Sequence, residues 1–189
     1  EFQQMVDFAK KRGLVVLEAI RIAFNPDLEL IRQSLGKLGK IRRAIFTCGA
    51  YSSRYDNFKR GIIENAFRPE MCNGALMDLG VYAVNIMVDL FGAPQKVNAD
   101  AIRLENGLDG VLTATCTYPG MLATVFTSKV ADSSGLSEIQ GEEGLMRIEN
   151  CSTPSSATIT YNTRRSGQEK SEALPLLAAP FGEDMKYEL

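Results

Sequence analysis

Residues 110–130 read GVLTATCTYPGMLATVFTSKV, and this stretch predicts two β-strands joined by a tight turn. Pro119 and Gly120 separate the two runs, and both residue types are favoured in turns. On the first strand, side chains of two kinds alternate: Leu112, Ala114, Cys116 and Tyr118 against Thr113, Thr115 and Thr117. We expect the first set to pack on helices, and the threonine face to be solvated or to lie against another sheet.

The same alternation of strand and turn continues on both sides of this hairpin. KVNADAIRLE at 96–105 precedes the turn Asn106-Gly107, and SEIQ and LMRIEN flank the turn GEEG at 141–144. ATITYNT at 157–163 and a final short strand follow. Consecutive hairpins predict an α+β fold, with an open, mostly antiparallel sheet and helices packed on one face.

The first 20 residues predict elements of a different sheet. Apolar residues recur at helical spacing over 1–12, Gly13 ends that helix, and LVVLEAI at 14–20 is typical of a buried parallel strand. We expect 1–20 to be the last helix and strand of a truncated α/β domain, and 21–189 to be a second domain. EDMKYEL at 183–189 resembles the start of another helix, so we expect the chain to be part of a longer protein.

Between these regions, the spacing predicts a helix after Pro26 and a strand over 41–51. Residues 52–73 are polar and irregular, and a loop of that length is often functional.

Composition excludes several classes of function. The chain has 189 residues and a net charge of -2, so we expect no nucleic-acid partner and no membrane partner. It contains no histidine, which removes histidine triads and HExxH zinc sites, and we expect no metal site. The four cysteines form no C-x-x-C pair. We expect buried or semi-buried free thiols in a cytoplasmic protein.

NGALMDLGVY at 73–82 opens a helix that we expect to reach Phe91. On a wheel of 100° per residue, Asp78, Tyr82, Asn85 and Asp89 form one narrow stripe in a surface that is otherwise apolar or small. We expect a mostly buried helix with one polar line facing a cleft. Gly80 inside the helix costs about 1 kcal/mol relative to alanine, which suggests a close approach to the backbone.

Two interpretations of the stripe stay open on spacing alone. In the first, it is the narrow solvent-facing edge, with Asp78 at the positive end of the helix dipole. In the second, Tyr82 performs acid–base chemistry, which near neutral pH requires a positive neighbour, commonly a lysine or a cofactor cation. No lysine is obviously placed for that role, and Lys59, the nearest in sequence, is expected to be a solvated loop residue.

Three stretches resemble one known family, the glucose–fructose oxidoreductase / inositol dehydrogenase / MocA-like dehydrogenases, and within it the dimeric dihydrodiol dehydrogenases. EAIRIAFNPDLELIRQSLGKLGKIRRAIF at 18–46 is similar to the family's passage into its second domain. NGALMDLGVYAVNIMVDLFGAP at 73–94 is similar to its active-site helix, and EIQGEEGLMRIEN at 138–150 to its late hairpin.

The resemblance implies an N-terminal Rossmann domain that binds NAD or NADP, followed by an α+β domain whose open sheet forms a homodimer. Tyr82 matches the proposed general acid/base, and Asp78 matches the motif aspartate that would orient substrate or a lysine. Arg68 and Asn85 are expected to contact the small-molecule substrate. The implied chemistry is reversible hydride transfer between nicotinamide and a sugar, polyol or diol carbon.

The chain departs from the family pattern in ways that leave the substrate open. It contains no Gly-x-Gly-x-x-Gly loop and no Glu-Lys-Pro motif, Asn73 replaces the first motif glycine, and Ala23 stands where many relatives carry arginine. We therefore expect no cofactor bound to this chain itself, assign no cofactor-binding residue, and expect the chain alone to be inactive. Two alternatives remain: a non-catalytic ligand sensor on the same fold, and a pure dimerisation module.

Overall fold

The computed structural model of the chain describes residues 2–162 and 170–177, and the helical start predicted at 183–189 lies outside them. Eight strands form one sheet in the order β2-β3-β4-β1-β5-β6-β7-β8. Their bounds are β1 Ile41–Gly49, β2 Lys96–Arg103, β3 Asp109–Tyr118, β4 Met121–Ser128, β5 Leu136–Gly141, β6 Gly144–Glu149, β7 Ser156–Tyr161 and β8 Ser171–Ala173.

The predicted hairpins are confirmed. β3 and β4 pair antiparallel with Tyr118 opposite Met121, and Gly120 makes the turn at a φ of +79°. β2–β3, β5–β6, β6–β7 and β7–β8 are antiparallel as well. The exception is β1, which runs parallel to β4 and antiparallel to β5 at the centre of the sheet. The sheet is therefore open and mostly antiparallel, as the hairpin pattern predicts.

The helices are α1 Phe2–Arg12, α2 Pro26–Ser34, α3 Tyr55–Lys59 and α4 Val81–Phe91. Buried side chains of α2 and α4 cover one face of the sheet, whereas α1 buries only Ala9 and α3 buries no residue. α2 begins at Asn25, whose side chain accepts a hydrogen bond from Asp27 N at 2.9 Å, with Pro26 at the first helical position. The core between helices and sheet is fully buried and includes Ile22, Ile31, Phe46, Ile86, Ile139, Met146 and Ile159. The predicted helical layer on one face is confirmed.

Residues 14–20 form no strand within the described part of the chain, which does not contain the other strands that the prediction places beside them. None of them pairs with a strand among the described residues, and Leu14, Val15 and Leu17 are more than half exposed. The apolar run has the composition of a buried strand. A strand needs hydrogen-bonded neighbours, however, and the described sheet offers none at this position.

The helix predicted over 74–91 has two parts. Leu76–Gly80 is a π-helical turn and Val81–Phe91 is α-helix, ending before Gly92 at a φ of +76°. The loop before it, predicted to be irregular, contains α3 and the short 3₁₀ turns Asn65–Phe67 and Pro69–Met71.

The stretch Pro69–Phe91 is long and apolar enough to cross a membrane by length and composition alone, with a mean hydropathy of 1.5. It is broken by the π-helical turn and by Cys72, which adopts a left-handed conformation. Ala83, Ile86 and Met87 are buried in the core against the sheet. These observations describe the core helix of an α+β layer.

Candidate functional site

The helix that carries Asp78 and Tyr82 begins at an acidic cap from a distant strand. Leu76 N donates a hydrogen bond to Asp109 Oδ2 at 2.7 Å, and Asp109 is the first residue of β3. A Cβ on Gly74 would lie 1.7 Å from Asp109 Oδ1, so only glycine leaves room for this carboxylate. An acidic group here satisfies free N–H groups and the positive end of the helix dipole. Gly74 and Asp109 together fix where the helix starts.

Gly80 allows the helix to approach the sheet closely. A Cβ at this position would lie 3.0 Å from Thr127 Cγ2 on β4. Thr127 is fully buried, and its Oγ1 donates to the Ala75 carbonyl at 3.1 Å. The close approach inferred from the sequence is therefore present, and it positions the π-helical turn against the end of β4.

Asp78 is bound to a lysine from the sheet. Its side chain is 44% exposed, and its Oδ2 accepts a hydrogen bond from Lys129 Nζ at 2.9 Å. Lys129 is fully buried, and it also donates to the carbonyl oxygens of Ala66 and Asn73. The Phe67 ring lies 4.6 Å from the ammonium nitrogen. An ion pair between a buried lysine and a partly exposed aspartate therefore lies at the start of the helix.

The sequence identifies no lysine beside this helix, and the structure places Lys129, from the end of the predicted β3–β4 hairpin, against Asp78. The two residues are 51 positions apart in sequence. Lys59 is solvated, as the sequence predicts, but it is the last residue of the short helix α3 and does not lie in a loop. Its ammonium pairs with Asp56 and donates to Tyr51 Oη at 2.9 Å, and the hydrogen bond to Asp56 raises the pKa of Lys59.

One sequence signal could have identified Lys129. Ala123, Val125 and Thr127 occupy alternate positions on β4 and face the helices. Two residues further, the same alternation carries Lys129 to the buried face. A charged residue at a buried position needs a partner, because an unpaired buried charge is very costly.

Tyr82 is half-buried in the first turn of α4. The residues from Leu76 to Gly80 follow π-helical rather than α-helical geometry, so a uniform wheel of 100° per residue does not hold between Asp78 and Tyr82. Both residues nevertheless retain solvent access at the same end of the helix.

The rest of the predicted stripe does not form one polar line. Asp89 makes an ion pair with Arg32 of α2, which ties two helices together. Asn85 is partly buried, and its Oδ1 has no hydrogen-bond partner among the described residues. Met77 and Val88 are 60% and 39% exposed. The helix therefore exposes apolar as well as polar side chains, and the prediction of a narrow polar slit in a buried helix was wrong.

Arg68 lies on the loop that Lys129 anchors. It follows Phe67, the buried residue whose ring contacts the Lys129 ammonium. Its guanidinium is exposed and makes no hydrogen bond or ion pair within the described part of the chain. Arg68 therefore directly follows a residue that contacts Lys129, the partner of Asp78. Its positive charge is exposed and free to bind a ligand.

Cys48 is close enough to Asp78 for the two to interact electrostatically. A hydrogen bond from Cys151 lowers the pKa of the Cys48 thiol, while partial burial and the negative charge of Asp78 act in the opposite direction. Cys151 Sγ also lies 3.3 Å from the Thr47 carbonyl. All four cysteines are free, as predicted, but Cys72 is exposed rather than buried.

A family model described as the GFO/IDH/MocA C-terminal domain matches residues 30–147. The chain belongs to the GFO/IDH/MocA family. The matched residues begin in α2 and end in β6, so they include the core helix, the β3–β4 hairpin and the Asp78–Lys129 ion pair. The resemblance carried by the three sequence stretches is confirmed.

Two curated relatives illustrate the range of this family. A scyllo-inositol 2-dehydrogenase (NADP(+)) of Bacillus subtilis is 39% identical over 175 residues, which cover 93% of this chain and 52% of that protein. The trans-1,2-dihydrobenzene-1,2-diol dehydrogenase of Macaca fuscata fuscata is 30% identical over 181 residues, covering 93% and 50%. The chain therefore spans about half the length of the curated relatives it matches.

Solved structures show the same fold at low sequence identity. An NAD binding oxidoreductase from Klebsiella pneumoniae superposes with a TM-score of 0.73 at 18% identity, covering 92% of this chain and 50% of that one. An aldose-aldose oxidoreductase from Caulobacter crescentus superposes with a TM-score of 0.69, also at 18% identity, covering 94% and 52%. The GFO/IDH/MocA α+β architecture is thus confirmed.

Proposed function

We propose that this chain is the catalytic and substrate-binding part of an NAD(P)-dependent oxidoreductase that acts on a CH–OH group of a sugar, polyol or diol. One observation carries the proposal. Asp78, held by a buried lysine, lies one turn before Tyr82 at the exposed start of the core helix, in a family whose relatives bear dehydrogenase names.

Tyr82 is the proposed general acid/base. In the oxidation direction its hydroxyl group would accept the proton of the substrate alcohol while hydride leaves the carbon. A tyrosine performs this transfer near neutral pH only beside a positive charge. The ammonium of Lys129 already donates to three acceptors beneath the helix, so we infer that the required cation comes from outside this chain.

Asp78, Arg68 and Asn85 are the proposed substrate contacts. One carboxylate oxygen of Asp78 is bound to Lys129, which leaves the other available to a substrate hydroxyl. The free guanidinium of Arg68 is suited to hydroxyl or carboxylate oxygens. Asn85, the third proposed contact, lies one turn after Tyr82 on α4 and is partly buried.

The residues of this chain do not form a dinucleotide cradle by themselves. The sequence contains no Gly-x-Gly-x-x-Gly loop. The helix start at Gly74 to Leu76 is already occupied by the Asp109 carboxylate, so it does not offer its N–H groups to a pyrophosphate. When bound, the nicotinamide supplies the hydride chemistry. We propose that NAD or NADP is held by a further domain of the full-length protein, that this chain alone binds none, and that it is inactive alone.

Two surfaces support the wider organisation that we propose. Residues 1–20, with exposed Phe2, Met5 and Phe8, would belong to the nucleotide-binding domain, and residues 21–189 to the second domain. The open sheet face, with Leu122 half exposed among threonines, would form a homodimer. We propose a cytoplasmic protein that binds a small-molecule substrate, and neither nucleic acid nor membrane.

The test is hydride transfer by the full-length protein with NAD and NADP over a panel of sugars, polyols and diols. We expect wild-type turnover and a loss of about 10²-fold or more in kcat for Tyr82→Phe. Tyr161→Phe, on β7, is the matched control and should retain activity. Ligand binding without turnover in the wild type would contradict the enzyme proposal and support the sensor.

A further inference from the structure

Unlike the lysines of surface ion pairs, Lys129 is buried and its ammonium group is fully hydrogen-bonded. Its side chain is 1% exposed, and its ammonium has three oxygen acceptors: Ala66 O at 2.6 Å, Asn73 O, and Asp78 Oδ2 at 2.9 Å. An ammonium group carries three N–H donors and no acceptor. Each donor therefore has one partner, and the Phe67 ring adds a cation–π contact. The site is built for a charged amine.

The backbone of Lys129 adds two further connections. Lys129 N donates to the Gly110 carbonyl at 3.0 Å, and Ser52 N donates to the Lys129 carbonyl at 3.0 Å. The residue thus joins the start of β3, the chain after β1, the loop 64–73 and the π-helical turn. These are the segments that surround Asp78 and that carry Arg68.

The ion pair also defines what Asp78 can do. The Lys129 ammonium balances the carboxylate charge and binds Oδ2, on a side chain that is 44% exposed. A carboxylate with both oxygens free on an exposed turn would sample several rotamers. A displacement of about 1 Å in a substrate-orienting group can reduce the rate by about 10²-fold.

We propose that Lys129 is a positioning residue for the reaction: it holds the carboxylate of Asp78 in the orientation that binds substrate, and it anchors the loop 64–73 that carries Arg68. This inference rests on the proposed function, because it assigns Asp78 a substrate contact. Lys129 itself touches no substrate, since it is buried and its donors are occupied.

A double-mutant cycle in the full-length protein tests whether Lys129 acts through Asp78. The variants are Lys129→Met, Asp78→Asn and the double variant, with kcat and KM measured for each. We expect each single change to lower kcat/KM by about 10²-fold, and the double variant to lose far less than the product of the two single effects. Effects that multiply in full would show that Lys129 does not act through Asp78, and would overturn its role in orienting that carboxylate.

Lys59→Met is the matched control. Lys59 also pairs with an aspartate and an aromatic residue on the loop after β1, but it is exposed. We expect its kcat/KM to stay within about twofold of wild type, because a surface ion pair orients little. If Lys129→Met does not fold, the cycle uses Lys129→Gln, and failure of both variants to fold would assign a purely structural role and overturn the inference.

Hydrogen exchange provides a readout that needs no turnover. In Lys129→Met we expect the amides of residues 64–73 to exchange at least about tenfold faster, while those of the β5–β6 hairpin keep their rates. An unchanged loop would overturn the anchoring role. The wild type could instead be inactive on every substrate while residues 64–73 exchange faster in Lys129→Met. That result would contradict the proposed function and support the role of Lys129 in anchoring the loop.

Discussion

The carboxylate of Asp109 occupies the space that a side chain on Gly74 would fill, with only 1.7 Å between Oδ1 and an ideal Cβ. The same carboxylate accepts the hydrogen bond of Leu76 N. A strand residue therefore caps the helix that carries Tyr82, and the two elements cannot shift independently.

Gly74→Ala should destabilise the protein. The added methyl group displaces Asp109 and removes the cap, and the loss of a helix cap costs about 1–2 kcal/mol. Urea unfolding followed by circular dichroism measures the change in the free energy of unfolding.

Gly36→Ala is the control, because a Cβ there meets no atom within 4 Å and φ is not positive. We expect that change to leave stability within about 0.5 kcal/mol. Equal effects at Gly36 and Gly74 would contradict the cap.

Gly80→Ala adds a Cβ that would lie 3.0 Å from Thr127 Cγ2 and 3.1 Å from Leu76 Cδ1, and we expect this overpacking to outweigh the gain of about 1 kcal/mol in helix propensity. Thr127→Ser removes that methyl group and keeps the hydroxyl that donates to Ala75 O. The double variant should therefore recover part of the stability that Gly80→Ala loses, as measured by urea unfolding. A double variant that loses the full sum of both single effects would show that Thr127 is not the obstructing group.

The hairpins could be predicted from the sequence because their signals are local. Asn106-Gly107 and Pro119-Gly120 specify turns within a few residues, and strand alternation specifies which face is buried. The family resemblance could be recognised for the same reason, because Asp78, Gly80 and Tyr82 lie within five consecutive residues.

The contacts that build the site are not local. Lys129 reaches Asp78 across 51 residues and Asp109 reaches Leu76 across 33, and such pairs depend on how strands and helix are assembled. The helical wheel did not predict the positions of the side chains correctly, because the sequence LMDLG contains no signal for a π-helical turn. The strand predicted at 14–20 stays a prediction, because strand formation depends on neighbours that an apolar run does not identify.

The cysteines should react in a defined order with iodoacetamide. The thiolate is the nucleophile, Cys72 is exposed, and the pKa of Cys48 is lowered by its hydrogen bond from Cys151. Burial raises the pKa of Cys116, and the hydrogen bond to Cys48 together with burial raises that of Cys151. Mass spectrometry at about pH 7.5 should find Cys72 modified first, Cys48 next, and the two buried thiols last.

Asp78→Asn should accelerate the modification of Cys48, because the negative charge of Asp78 raises the pKa of that thiol. The rate at Cys72 is the internal control and should not change. A slower reaction at Cys48 would show that the charge of Asp78 does not act on it.

The attachment of β8 should weaken in acid. Glu172 accepts hydrogen bonds from Lys37 at 2.7 Å and from Tyr161 at 3.0 Å, and these lower the pKa of its carboxyl group. A group whose folded pKa is lowered contributes stability above its unfolded pKa of about 4.3 and loses that contribution as the pH falls through the folded pKa. The hydrogen-exchange protection factors of β8, which are corrected for the intrinsic pH dependence of exchange, should therefore fall below about pH 4.

Glu172→Gln should remove that acid dependence and leave β8 in the weakened state at neutral pH. Glu149→Gln is the control, since this exposed carboxylate on β6 makes no ion pair among the described residues. A persistent acid transition in Glu172→Gln would place its origin elsewhere.

The proposed dimer predicts that Leu122→Arg yields monomers. Leu122 is 50% exposed on the open face of β4, opposite Thr117 of β3, near the centre of the sheet. A buried arginine without a partner opposes association, because removing its charge from water costs several kcal/mol. Analytical ultracentrifugation of the full-length protein measures the change.

Val97→Arg is the matched control. Val97 is 56% exposed, but it lies on the edge strand and points to the helical side, so this variant should stay dimeric. A wild type that is monomeric at high concentration, or a Leu122→Arg variant that remains a dimer, would exclude the open face as the interface.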